Sequence, residues 1–247
     1  VAYPYDWDEG IQIFGTLNAA TDLRYVAHAT DGDDAINGDG EGNGQFGLKL
    51  SARPVAPIYV SGSVLDMGKS GSERSPAKTA FGWGGAHPSP VEGNTLDGMQ
   101  AWELDTKLFP VEGVSFWGAY GEVAIEDGVT AENDRDLEYR IGQLIVGAGI
   151  CEKTPDWARD LYVAARYSEI SSATPGKGYF LIGINTPASF GFDTQEISAW
   201  QWAIGYPLNE NMKILLEYDR YDYELVPGAP GATGDRDMIY LEWVGRY

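Results

Sequence analysis

Residues able to do bond chemistry are scarce in this chain. Histidine occurs only at positions 28 and 87, so general acid–base catalysis rests on His28 with the nearby Asp31, or on His87 in a long connection. Two exposed loop histidines account for the same residues without any chemistry, and no enzymatic activity is expected. Asp31, Asp33, Asp39 and Glu41 lie among glycines, and carboxylates on a flexible backbone are the hard oxygen donors that calcium takes. Ala35 stands where a calcium loop begun at Asp31 or Asp33 needs an oxygen, and neither register has its twelfth-position Glu. A plain hydrophilic loop is therefore the simpler reading, with a structural calcium as the alternative; no other cofactor is expected. Cys151 is the only cysteine, which excludes an intrachain disulfide and a cysteine metal cluster.

The more informative charges recur at every second position. Lys49 and Arg53 share one parity, as do Glu103 and Asp105, Glu138 and Arg140, then Lys213, Glu217 and Asp219. Glu122, Arg166, Glu242 and Arg246 extend the set, with Arg24 and Arg220 beside them. Period two belongs to a β-strand, whose successive side chains point to opposite faces. Opposite the charges stand apolar residues: Phe46, Leu48 and Leu50; Trp102, Leu104 and Leu108; Ile214, Leu216 and Tyr218; Ile239, Leu241 and Trp243. Such strands suit a wall between lipid and water, with the charges lining the watery side. On this pattern Trp102, Trp117, Trp200, Trp202, Tyr206, Tyr218, Trp243 and Tyr247 are the aromatics expected at the membrane interface.

Short and long connections take turns along the chain. Tight turns at 54–57, 110–113, 151–157 and 207–211 interleave with long loops at 30–44, 67–97, 127–136, 172–194 and 226–235. The segments between them give about ten strands, with about twelve as the alternative, because an up-and-down barrel with both termini on one side needs an even number. Residues 11–29 read as one long strand or two, and 178–185 as a possible extra one. The expected fold is all-β, an antiparallel up-and-down transmembrane barrel forming a single domain over 1–247. Residues 1–10 are expected as a short segment on the turn side, and 67–97 as a loop that stays outside or folds inward.

Composition narrows the function. Lys and Arg number 17 against 37 Asp and Glu, for a formal charge of −20. Nucleic acid is not an expected partner, since affinity for phosphates rests on basic clusters. No run approaches the roughly 18 apolar residues of a spanning helix, whereas the mean hydropathy of −0.27 is compatible with strands that turn only alternate residues to lipid. The first residues, Val1-Ala-Tyr-Pro-Tyr5, have neither a basic start nor an apolar stretch, so the chain reads as a mature protein without a signal peptide.

Arg236 to Tyr247, an alternating strand ending in an aromatic, resembles the closing strand of Gram-negative outer-membrane β-barrels. The stretches Leu161–Ile170 and Gly205–Tyr221 look like the last strands of porins, so the likeness covers the C-terminal third. This resemblance implies residence in the bacterial outer membrane, contact with its lipid and lipopolysaccharide, and recognition of Tyr247 by the barrel-assembly machinery. It also implies passive diffusion of small polar solutes or ions through a narrow charged lumen. Two alternatives stand beside it: a closed structural or adhesive barrel acting through acidic external loops, and a secreted soluble carbohydrate-binding β-protein. The residues do not fix the oligomeric state.

Overall fold

Alternating polarity and frequent β-branched and aromatic residues favour extended chain. The computed structural model bears this out over the residues it describes: 10–30, 45–67, 96–127, 135–174, 194–209, 212–225, 227–228 and 234–245. Eleven strands succeed one another: β1 (Gly10–Asn18), β2 (Leu23–Thr30), β3 (Gln45–Val55), β4 (Ile58–Met67), β5 (Leu96–Val111), β6 (Val114–Asp127), β7 (Arg135–Gly147), β8 (Tyr162–Ser172), β9 (Thr194–Asn209), β10 (Met212–Leu225) and β11 (Gly234–Gly245). Two short 3-10 turns, Ala148–Ile150 and Asp156–Ala158, separate β7 from β8. No described helix is long and apolar enough to cross a membrane.

Each strand pairs with its neighbours in sequence, giving one eleven-stranded antiparallel sheet in the order β1 to β11. Among the described residues, β1 and β11 are its two edges. The count exceeds the expected ten because residues 11–29 form a hairpin rather than one strand. Its turn is built locally: the Asn18 side chain accepts the Ala20 N–H at 2.8 Å, and Asp22 takes a left-handed φ of 48°. Asp and Asn tolerate that region better than other side-chain-bearing residues. β8 pairs directly with β9, so no strand intervenes between them; the segment 178–185 lies outside the described residues. The tight turns gather at one end of the sheet, together with the longer β7–β8 connection at 148–161, and the remaining connections at the other. Gly10 pairs with Thr30, so β1 opens at this second end and not on the turn side expected of residues 1–10.

Burial distinguishes the two faces. Ser61, Asp105, Ala119, Val123, Leu137, Ile197, Ala199 and Asp219 are buried, and the strand registers place them all on one side, here the inner face. Apolar residues of the other, outer face stay open: Leu104, Val163, Ile204 and Leu241 are 59%, 52%, 53% and 76% exposed. Exposed large apolar residues thus recur on the outer face of strand after strand.

Candidate functional site

The inner face carries a polar strip. One cross-strand line runs through Tyr59, Lys107, Trp117, Gln143, Arg166, Gln201 and Asp219, from β4 to β10. Near one end, Gln201 holds two carboxylates together. Its amide nitrogen donates to Glu217 at 3.1 Å and to Asp219 at 3.2 Å. The Tyr221 hydroxyl also donates to Asp219, at 3.2 Å. Near the other end, Asp105 accepts from Lys49 at 3.2 Å and from the Ser61 hydroxyl. Its neighbour Glu103 accepts from the Tyr139 hydroxyl at 2.8 Å. Lys49 and Tyr139 each reach across an intervening strand, Tyr139 lying over Gly121. The acids are thus tied to the wall, whereas Lys107 and Arg166 are exposed. Lys107 nonetheless keeps the Tyr59 ring 5.7 Å from its ammonium.

Several expected positions require correction. Glu122, Glu138 and Arg140 sit on the outer face: Glu122 pairs with Glu138 and lies opposite Trp102, and Arg140 binds Glu169 at 2.6 Å. Arg220 is outer as well, 3.1 Å from Asp235. They occupy strand ends near the long connections, where the outer face is polar, so alternation with apolar residues does not by itself reveal their side. Trp117 makes the opposite move, to the inner face between Lys107 and Gln143. Arg53 falls beyond the last regular β3–β4 pair and is exposed. Lys49, Glu103, Asp105, Arg166, Lys213, Glu217, Asp219 and Glu242 have inner parity. Arg246, Tyr247, His87 and the acidic positions Asp31, Asp33, Asp39 and Glu41 lie outside the described residues. His28, on the inner face, covers Gly47. Gln201, Tyr139, Tyr221 and Ser61 are polar partners that the charge pattern does not single out: Tyr221 shares its parity with Glu217 and Asp219, and Gln201 alternates with Trp200 and Trp202, whereas Tyr139 and Ser61 follow only from the cross-strand registers.

The outer face is tiered. Trp102, Tyr120, Tyr167, Trp200, Trp202 and Tyr218 form an aromatic tier, with Trp102 edge-on to Tyr120 at 5.4 Å and Tyr167 beside Trp200 at 4.8 Å. The hydroxyls of Tyr120, Tyr167 and Tyr218 turn toward the long-connection end. Trp102 and Tyr120 both donate to Glu122 at 3.1 Å, Tyr167 to Glu169, and Tyr218 to Asp237 at 2.8 Å. At the short-connection end, Tyr206 and Trp243 flank Ile214. No protein-family model and no curated protein matches the chain.

The tier does not follow the strand register. Tyr218 is in line with Trp202, Ala165, Leu144, Phe116 and Leu108, yet the aromatic of the tier on β5 is Trp102, six residues from Leu108 along that strand. The tier therefore climbs about one residue per strand. With a rise of roughly 3.3 Å per residue against roughly 4.8 Å between strands, strands cross such a level plane at a tilt of about 35–40° from its normal.

Polarity also inverts along the strands. Toward the long connections, beyond the aromatic tier, the inner face turns apolar: Val123, Leu137 and Ile197 pack with Leu65, Ala101 and Ile170, while Glu122, Glu138, Glu169 and Glu196 occupy the outer face. Below the tier the arrangement reverses, with polar residues inside and aliphatics outside. The outer face is therefore charged at the strand ends beyond the tier and largely apolar below it.

Proposed function

We propose that the sheet is the wall of an outer-membrane β-barrel of porin type, conducting small polar solutes or ions by passive diffusion along the inner polar strip. The observation carrying this reading is the tilted aromatic tier with its carboxylates above and aliphatics below. Amphipathic rings gather where lipid meets water, and strands of membrane barrels tilt by about 35–45°. β5 and β9, at 16 residues each, exceed the roughly 9–11 that cross a bilayer. Their surplus accommodates the polarity inversion. Lipid and lipopolysaccharide would contact the outer face, with the barrel-assembly machinery acting during biogenesis.

The solute pathway runs beside groups of both signs. Carboxylates tied to amides, hydroxyls and Lys49 make a polar floor, while Arg166 and Lys107 reach away from it. Reconstitution in planar bilayers is expected to give discrete conductance steps. Well-folded, inserted protein that gives none would leave the closed structural or adhesive barrel as the better reading. In the conducting protein, Glu217→Gln should shift the reversal potential toward anion preference and Arg166→Gln toward cation preference, by about two-fold in permeability ratio at low salt. Both shifts should fade in 1 M salt, where screening acts within about 3 Å. Unchanged reversal potentials for both variants would remove the strip from the pathway.

A further inference from the structure

We infer that the eleven strands are a sector of the wall, completed by an odd number of further antiparallel strands that come from the same polypeptide ahead of β1 and join its free edge to that of β11. This rests on the membrane reading above. The argument starts from direction. Strand order follows sequence order and every pairing is antiparallel, so the first and eleventh strands run the same way. Gly10, which opens β1, pairs with Thr30, and Gly234, which opens β11, pairs with Tyr223. Both strands therefore begin at the long-connection end.

Both edges also lie at lipid depth. Ile11, Ile13 and Leu17 on β1 are 73%, 56% and 61% exposed, and Ile239, Leu241 and Trp243 on β11 are 74%, 76% and 66% exposed. An unpaired strand edge in hydrocarbon leaves backbone N–H and C=O groups with no partner, at several kcal/mol each, so lipid-exposed edges do not persist. Direct pairing of β1 with β11 would introduce a parallel ladder into an otherwise antiparallel sheet. A second copy related by an axis along the bilayer normal presents β11 to β1 in the same parallel sense. Reversing that copy would place its long connections on the opposite side of the membrane. Inserting an odd number of strands restores antiparallel pairing at both edges and gives the even count usual for such barrels. Because each strand of the sheet neighbours its sequence predecessor, the strand on the free edge of β1 is the one preceding it. The completed wall has at least twelve strands, eleven plus the smallest odd number.

Inward-facing cysteines test this in the protein made from its own gene, in native outer membranes and a Cys151→Ser background. Gln12→Cys or Thr16→Cys would be combined with Met238→Cys or Tyr240→Cys and oxidised. Neighbouring strands lie about 4.8 Å apart and strands separated by one lie about twice that, beyond disulfide reach. The expected result is no β1–β11 disulfide, within or between molecules, in a protein whose β1 amides are as protected from deuterium exchange as those of β5. A photo-cross-linker at Gln12 should then capture a segment of the same polypeptide preceding β1. A β1–β11 disulfide, freely exchanging β1 amides, or capture of another polypeptide would each overturn the inference. Release of the protein from membranes without detergent would instead sink the membrane reading on which it rests.

Discussion

Ile204→Arg is expected to destabilise the protein in lipid bilayers by about 1–4 kcal/mol, because the cost of a basic side chain facing lipid rises from about 0–1 near the interfaces to about 2–4 at the midplane of a membrane barrel. Ile204 lies on the outer face of β9, flanked in register by Val163 and Leu216 and placed between the Trp200–Trp202 pair and Tyr206. The same substitution in a protein whose outer face met water would be close to neutral, since Ile204 is already 53% exposed and exposed substitutions usually fall within about 0.5 kcal/mol. A matched inner-face change supplies the contrast. Gln143→Glu introduces a carboxylate directly opposite Arg166, where opposite charges on neighbouring strands contribute roughly 0.2–1 kcal/mol. Denaturant titration in liposomes of constant composition measures both. Equal tolerance of the two variants would overturn the assignment of the outer face to lipid.

The alternation that exposed the strands in the sequence also set its limits. Lys49 on β3 can be placed because Leu48 and Leu50 fix the opposite face, and Glu217 with Asp219 on β10 because Leu216 and Tyr218 do. Near the long connections this contrast disappears: Glu122 is preceded by Gly121 and followed by Val123, and the inner face itself becomes apolar around Val123 and Leu137. A rule that sends charges inward therefore fails at Glu122, Glu138 and Arg140, although alternation marks their strands. Trp117 fails for the complementary reason: an aromatic on a strand suggests an interface residue, while its neighbours in register are Lys107 and Gln143. The β1–β2 hairpin was ambiguous because alternation continues through residues 11–29, and the turn depends on a side-chain bond from Asn18 and a positive φ at Asp22. The tier tilt lay beyond single-strand reading altogether. It emerges only when six strands are set in register.

Gly121→Val is expected to cost about 3 kcal/mol of stability and to disturb the inner strip between β5 and β7. A Cβ at this position would lie 2.5 Å from the Trp102 carbonyl oxygen and 2.5 Å from the Tyr139 ring. The ring could swing away, but the carbonyl belongs to the paired β5 backbone and cannot move without breaking register. Overpacking of this kind typically costs about 1–3 kcal/mol. Displacing Tyr139 would also remove its hydroxyl from Glu103, and a hydrogen bond to a charged group contributes about 1.5–3 kcal/mol. Tyr139→Phe separates the two effects: it keeps the ring over Gly121 and deletes only the donor, so it should lose about half as much. If the polar strip lines the solute pathway, Tyr139→Phe should also alter conductance by freeing the Glu103 carboxylate toward the lumen. Combining Gly121→Val with Tyr139→Ala should recover part of the packing loss, because the added methyls then meet open space where the ring was, while the clash with the Trp102 carbonyl remains. A double variant losing the full sum of the two single losses would show that the ring and the glycine do not share that space.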